Sequence, residues 1–416
     1  MSQLRVRNAV SPLRRLPAAF PATQPTPLAQ VDALVAELRP EDPLHCLRPV
    51  TLAATAAAFV AAFPGDTLYA VKCNPDPAVL RALWAGGVRH FDCASPAEIS
   101  LVRQMFPEAA IHFMHPVKAR GAIREAWARH DVRDFVIDSA EELTKLLAEI
   151  AATGVAGALG IVVRLALPKG EAVLDLSGKF GAEPSDAAAL LRAARPHAAR
   201  LGIAFHVGSQ CLEPLAWRRA MALTGQVIGA AGVAIEIVDV GGGFPAVYPD
   251  VELPELGAIF AEIEDGFDRL DLPAARLWAE PGRALVADGG SVVVQVQARS
   301  GDMLHINDGI YGSLADAGAL AFRYPVRCIR PGGAPAETLH GFGFFGPTCD
   351  SADVMQGPFY LPEDIAEGDW IEIGQLGAYG ACLRTAFNGF DRARIVEVAD
   401  APLVPLLHDA PVVRAA

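Results

Sequence analysis

Between residues 67 and 283 the sequence repeats one unit: a short apolar run that ends on a polar or glycine-rich turn, followed in most cases by a helix-sized stretch. The runs are TLYAVKC (67–73), VRHFDCAS (88–95), AIHFMHP (110–116), RDFVIDS (133–139), GIVVRLAL (160–167), GIAFHVGS (202–209), IEIVDVGGG (235–243) and RLWAEPGR (276–283). Eight such units predict a (β/α)8 barrel, because a parallel strand buried on both faces reads as a continuous apolar run and its covering helix fills the spacer. Chemistry in that architecture sits at the strand C-termini. The polar residues of the runs fall there: Lys72, Asp92, His115, Asp138, Arg164, His206, Gly241 to Gly243 and Glu280.

After residue 285 the pattern changes. SVVVQVQARS (291–300), MLHINDGIYG (303–312), YPVRCIRP (324–331), ETLHGFGFFGP (337–347) and DWIEIGQLGAYG (369–380) are strand-like runs without long helices between them, predicting a second, mainly β domain, a sandwich or barrel, over 286–416. PLHCLRP (43–49) predicts a strand, residues 43–50, that joins this domain before the barrel of 51–285 begins. Residues 1–42 read as a flexible arm: the first thirty carry Arg5, Arg7, Arg14, Arg15, five prolines and no acid, without the apolar core of a secretory signal.

A formal net charge of -13 argues against nucleic-acid binding, which needs clustered lysine and arginine. Seven scattered cysteines without a CxxC pair suggest neither a disulfide framework nor a zinc ribbon, and fit a reducing, cytoplasmic compartment. The apolar stretch TLAATAAAFVAAF (51–63) is too short to span a bilayer. HFMH (112–115) puts two histidines on opposite faces of a strand with no acid beside them, so no metal is expected. DGFDRLD (265–271) lacks the ligand spacing of a calcium loop and reads as a solvated helix face.

The strand ends carry a set of chemical parts. Lys72, buried in a barrel mouth, is expected to have a lowered pKa and to act as an amine nucleophile toward an aldehyde; taken alone, a salt-bridged structural lysine is the plainer reading. Three glycines after a buried strand (Gly241, Gly242, Gly243) offer backbone N–H groups to a phosphate, or simply a tight turn. Gly282 and Arg283 add donors and Glu280 a carboxylate, while His206 offers a flat ring and Ser209 a hydroxyl. An amine, a phosphate cup, a stacking ring and a carboxylate are the parts needed to hold pyridoxal 5′-phosphate (PLP).

With YAVKCN, FDCAS followed by Glu98, LSGKFGA, FHVGSQ, DVGGGFP, EPGRALVA, NDGIYGS, GPTCDSADV and GAYGACLRTAFNGF in order from about residue 43 to 400, the chain resembles the fold-type III PLP-dependent decarboxylases of the ornithine decarboxylase group, in particular bacterial members similar to the eukaryotic form. The resemblance implies an alanine racemase-like fold and attaches PLP to Lys72, with Glu280 at the pyridine nitrogen and His206 stacked on the ring. It gives the phosphate to Ser209, Gly243, Gly282, Arg283 and Tyr379, and places Asp92, Glu98 and Arg164 around the site. It also implies a head-to-tail homodimer in which Cys349 and Asp350 act in the neighbouring subunit's site, Cys349 as a proton donor to the substrate carbon.

Substrate choice turns on carboxylates that could take a distal ammonium, for which Asp316 and Asp350 are the candidates, with Tyr311 on the same loop as Asp316. In YGSLADAGALAFRYP (311–325), Ala315 stands where the family usually has an aromatic residue, which widens the pocket. Diaminopimelate decarboxylases typically carry Cys-Glu-Ser where this chain has Cys349-Asp350-Ser351, so the aspartate favours a plain diamine tail. The reading is an ornithine decarboxylase making putrescine for polyamine synthesis; the alternative is lysine or another basic amino acid as substrate. A decarboxylase-like regulatory protein without catalysis would have lost its catalytic set, whereas Lys72, Glu280, Arg283, Cys349 and Asp350 are all present.

Overall fold

The structure is a computed structural model that describes residues 28–403 apart from 171, 173–177, 250 and 319. Residues 1–27 of the expected arm and 404–416 of the expected β domain lie outside the described residues. The arm is not irregular throughout its expected length. Val31–Leu38 is a helix whose Val31 and Val35 are buried with Leu44, Cys46, Val293, Ile329, Trp370 and Val398. Apolar residues at 31, 34, 35 and 38 give it one sticky face, which makes docking outweigh the tendency of a terminal segment to stay loose.

The first strand, β1 (Leu44–Leu47), runs antiparallel to a strand of the second domain and is followed by the helix Pro49–Ala62, which opens with proline at a position where no N–H is needed. The barrel then closes through β2 (Asp66–Ala70), β3 (His90–Cys93), β4 (Ala110–Phe113), β5 (Asp134–Ile137), β6 (Gly160–Arg164), β7 (Arg200–Ala204), β8 (Ile237–Asp239) and β9 (Arg276–Ala279), with β9 pairing back to β2. Phe91, Phe113, Phe135, Ile161 and Ile203 face the helices, while Leu68, Met114, Val136, Val162, Ala204, Ile237 and Trp278 fill the barrel interior. Ser-x-x-Glu sequences start two of the helices: Ser95 and Ser139 accept the backbone N–H of Glu98 and Glu142, satisfying donors that a helix start leaves open.

The second domain is built from β10 (Gly290–Ser300), β11 (Met303–Ile306), β12 (Val326–Ile329), β13 (Leu339–Phe345), β14 (Val354–Pro362), β15 (Trp370–Ile373) and β16 (Arg394–Glu397). They form an eight-stranded sheet in the order β12-β15-β10-β11-β13-β14, with β1 joining β10 to β16. The long β10 serves both ends: its first half pairs with β1 and β15, its second with β11. Polar pairs hold the strand before the barrel in the second domain and tie the two domains together. Arg48 and Glu372, both buried, form an ion pair at 2.7 Å that Ser291 completes. Nearer the barrel mouth, Asn74 donates to the Gly377 carbonyl at 2.8 Å and the Tyr379 N–H donates to the Cys73 carbonyl at 3.0 Å, which fixes the turn carrying Lys72 against the second domain.

Candidate active site

Strand β2 ends at Ala70 and the chain tightens into a single 3-10 turn, Val71–Cys73, that aims Lys72 into the barrel mouth. The neighbouring β3 is in register with Ala70 opposite Asp92, so the Asp92 carboxylate lies under the lysine, with Oδ2 3.6 Å from Nζ. Asp92 is 3% exposed and that oxygen has no hydrogen-bond partner. The expected lowering of the Lys72 pKa does not occur: it is raised, chiefly by Asp92, with Glu280 and Glu98 adding to the effect against the opposing pull of desolvation and Arg164. Desolvation loses because the lysine's side chain is 48% exposed, facing the cavity, whereas its carboxylate neighbours are held close.

Glu280 follows β9 directly and sits half-buried on the cavity wall beside buried Asp239, the last residue of β8. Burial, with repulsion from Asp239 and Asp92, pushes the Glu280 carboxyl well above the usual range, and burial with Asp92 pushes Asp239 up to about 6. Asp239 Oδ1 accepts the Gly241 N–H at 2.8 Å, which removes Gly241 from the set of free donors. His206, just past β7, accepts the Gly208 N–H on Nδ1 at 3.0 Å. Its proton therefore sits on Nε2, and burial together with Arg164 and Lys72 holds the ring neutral, well below the usual histidine range.

A cavity of about 420 Å3 opens among these groups, lined among others by Lys72, Arg164, His206, Ser209, Gly242, Gly243, Glu280, Gly282, Arg283 and Tyr379. The glycines are required by close approach. A Cβ on Gly242 would lie 2.7 Å from the Glu280 carbonyl oxygen and 3.1 Å from His206 Nε2, and Gly243 has φ +100°. Arg283 is buried and caged by the rings of Tyr248, Phe322 and Tyr379; it donates to Tyr248 Oη at 2.7 Å and to Asp316 Oδ2 at 2.9 Å, while its buried Nε has no partner. An amine, a neutral imidazole, a carboxyl pair, bare glycine backbone and an arginine with donors to spare fit PLP in size and chemistry.

Not every expected residue reaches this cavity. Asp92 lies beneath Lys72 and off the wall. The Glu98 carboxylate accepts the Ala94 N–H at 2.7 Å as part of its helix cap. Asp138 accepts the Gly181 N–H at 3.0 Å and lines a separate surface groove, and His115 packs on Phe180, so the eight strand ends do not all converge. The Asp316 carboxylate is held by Arg283 and is absent from the cavity wall. Tyr311, Cys349 and Asp350 lie on loops of the second domain away from the cavity of their own chain; the Tyr311 hydroxyl donates to Asp350 Oδ2 and holds that carboxyl below its usual range. Reading the sequence missed Tyr248, Phe244, Met114, Lys179, Phe180 and Asp239. Lys179 and Phe180 lie within LSGKFGA, but Tyr248 sits five residues beyond the glycine turn, where no spacing rule marks it.

Residues 51–287 match the family described as pyridoxal-dependent decarboxylase, pyridoxal binding domain. The chain belongs to the pyridoxal-dependent decarboxylases. Its cofactor is PLP, and it is an amino-acid decarboxylase of the ornithine decarboxylase family. This decarboxylase is 34% identical over 348 residues to a lysine/ornithine decarboxylase of Selenomonas ruminantium, covering 80% of this chain and 84% of that one. It is 33% identical over 367 residues to an ornithine decarboxylase of Panagrellus redivivus, covering 78% of each. The crystal structure of the Paramecium bursaria Chlorella virus arginine decarboxylase bound to agmatine superposes with a TM-score of 0.76 at 27% identity, covering 88% of this chain and 98% of that one. The resemblance noted from the motifs and the barrel with its β domain both hold.

Proposed function

We propose that this decarboxylase converts L-ornithine to putrescine and CO2 for polyamine synthesis, as a cytoplasmic homodimer whose two sites are each completed by the partner's β domain. The observation that carries the substrate reading is Asp350: an ionised carboxylate, fixed by Tyr311 and by the Ala352 N–H, one residue from Cys349. A distal ammonium pairs with such a carboxylate, whereas the distal carboxylate of diaminopimelate would be repelled. That Tyr311, Cys349 and Asp350 stand away from their own cavity supports a site shared between subunits. No disulfide joins the cysteines of the described residues, in keeping with a reducing compartment.

PLP, bound through Lys72, supplies the electron sink that makes loss of the α-carboxylate accessible. The chain's own groups set its terms. Lys72, kept protonated by Asp92, must give up a proton before its nitrogen can form that bond. Gly242, Gly243, Gly282, Ser209, Arg283 and Tyr379 would hold the phosphate, and His206 the ring face. Glu280, its carboxyl raised by burial and by Asp239, would hold a proton at the pyridine nitrogen. Cys349 gives Cα the proton that replaces CO2, while Asp350 fixes the far end of the substrate.

A second reading, with lysine as the main substrate, is favoured by Ala315: the 3-10 turn Ala315–Ala317 has no bulky side chain beside Asp316, and a relative named for both lysine and ornithine supports it. Pure protein with PLP, incubated separately with ornithine, lysine, arginine and diaminopimelate, decides by the amine formed. The proposal expects putrescine at the highest kcat/KM; cadaverine in first place establishes the second reading, and turnover of diaminopimelate alone overturns both.

A further inference from the structure

The Cys349–Asp350 pair is gripped from two sides. Tyr311 holds the aspartate, and the backbone N–H of Cys349 donates to Asn388 Oδ1 at 3.0 Å. Asn388 lies in the turn Phe387–Gly389 with φ 53° and ψ 6°, a left-handed conformation that asparagine and glycine tolerate and most residues do not. The turn is fixed in its place. The Phe387 ring lies 4.8 Å from that of Tyr311, the Phe387 N–H donates to Thr385 Oγ1 at 3.3 Å, and the Thr385 N–H donates to the Tyr311 carbonyl at 2.8 Å. Beneath it, Arg384 pairs with buried Asp308 at 2.8 Å and donates to buried Ser313 at 2.9 Å, tying the loop of Tyr311 to the segment that leads into Asn388.

We propose that Asn388 is a positioning residue that decides which carbon receives the Cys349 proton, an inference that rests on the reading of Cys349 as proton donor. When CO2 leaves, the Cα–carboxylate bond breaks and its electron pair stays behind to be protonated. Delivery to Cα gives the amine: R-CH(NH3+)-CO2− plus H+ becomes R-CH2-NH3+ plus CO2. Delivery instead to the carbon that was the aldehyde of PLP gives R-CHO, CO2 and pyridoxamine phosphate, the cofactor taking two electrons from the substrate without any outside oxidant. Two carbons compete for one proton, so the product ratio reports where the thiol sits. A hydrogen bond to the cysteine's own backbone, from a residue locked in an unusual conformation, sets that place directly.

The test uses the PLP-loaded enzyme with ornithine, measuring aldehyde against amine and the loss of PLP absorbance during turnover. Asn388→Gly keeps the left-handed backbone but loses the acceptor, and it should raise the aldehyde fraction by about tenfold, the scale on which small misplacements act. Asn388→Asp keeps an accepting oxygen and should restore the fraction to within about twofold of wild type, given the same geometric requirement. Resting PLP absorbance and the thermal midpoint should be unchanged in both, which separates positioning from a loss of fold. A Cys349→Ala variant with an unchanged aldehyde fraction sinks the proton-donor reading and this proposal with it. If Cys349→Ala raises the fraction and Asn388→Gly does not, the proposal is overturned and the reading of Cys349 stands.

Discussion

Replacing Asp92 with asparagine removes the charge beneath Lys72 and keeps the shape. The carboxylate oxygen that faces the lysine has no hydrogen-bond partner, so the substitution breaks no hydrogen bond there. At their 3.6 Å separation Coulomb's law gives about 4–5 kcal/mol at an effective dielectric of ~20 and about 1 kcal/mol in bulk water. The lysine's side chain is 48% exposed, so water screens the pair and the working value lies near the lower bound, about 1.5 kcal/mol. Losing it multiplies the free amine present at a given neutral pH by about ten. Because Asp92 is the leading cause of the raised Lys72 pKa, the substitution lowers it. Mixing PLP with apoenzyme in a stopped-flow cell at pH 7.5 and following the absorbance of the lysine-linked cofactor should show attachment about tenfold faster in Asp92→Asn than in wild type. An equal or slower rate would refute the electrostatic reasoning. Stability behaves differently. The pair contributes in full below the ordinary lysine value of about 10.4 and is lost only as pH rises through the raised folded value, so the stability gap between the two proteins should be flat from about pH 6 to 9.

Two further changes probe the cavity and its support. Gly242→Ala pushes a Cβ against the Glu280 carbonyl and His206 and should cost about 1–3 kcal/mol of stability with PLP lost on dialysis, whereas Gly121→Ala, which meets nothing within 4 Å, should melt no lower than wild type. Lys118 is buried on Glu142 and the carbonyls of His115, Pro116 and Val136, with its pKa lowered to about 8, mainly by desolvation. Below about 8 the fold carries a charged buried amine; as pH rises toward the unfolded value of about 10.4, the unfolded chain binds more protons and stability gains. Lys118→Met removes that gain, so denaturant titrations should show wild type improving on the variant by about 2 kcal/mol between pH 7.5 and 9.5, and a constant gap would refute the assignment.

How far the fold could be read depended on how local its signals are. Each barrel strand is buried on both faces, so Phe91, Val136 or Ile203 declared itself by run alone. The interior of the barrel's other end was not legible. There His112 bonds His90 at 3.0 Å and pairs with Asp134 at 3.1 Å, with Arg200 closing on Asp134 at 2.7 Å, a polar chain assembled from four strands. The site divides in the same way. Lys72, His206, the glycines and Glu280 stood out because strand ends are marked in sequence. The engagement of Asp316 with Arg283 and the raising of the Glu280 carboxyl by Asp239 depend on long-range packing. So does the sign of the Lys72 shift: the lysine faces open space while Asp92, twenty residues away on the next strand, lies under it. The docking helix Val31–Leu38 did carry a local signal in its i, i+3, i+4, i+7 apolar spacing, hidden beside a proline-rich stretch.

The proposed function requires Lys72 of one subunit to work with Cys349 and Asp350 of the other. Mixing Lys72→Ala and Cys349→Ala dimers, each deficient in putrescine formation, under conditions of subunit exchange, then assaying putrescine made from ornithine, tests it most directly. Random reassortment makes half of the dimers mixed, and one of the two sites in each mixed dimer is intact, so activity should return to about a quarter of wild type. Activity that stays at the sum of the two parents after exchange would contradict it.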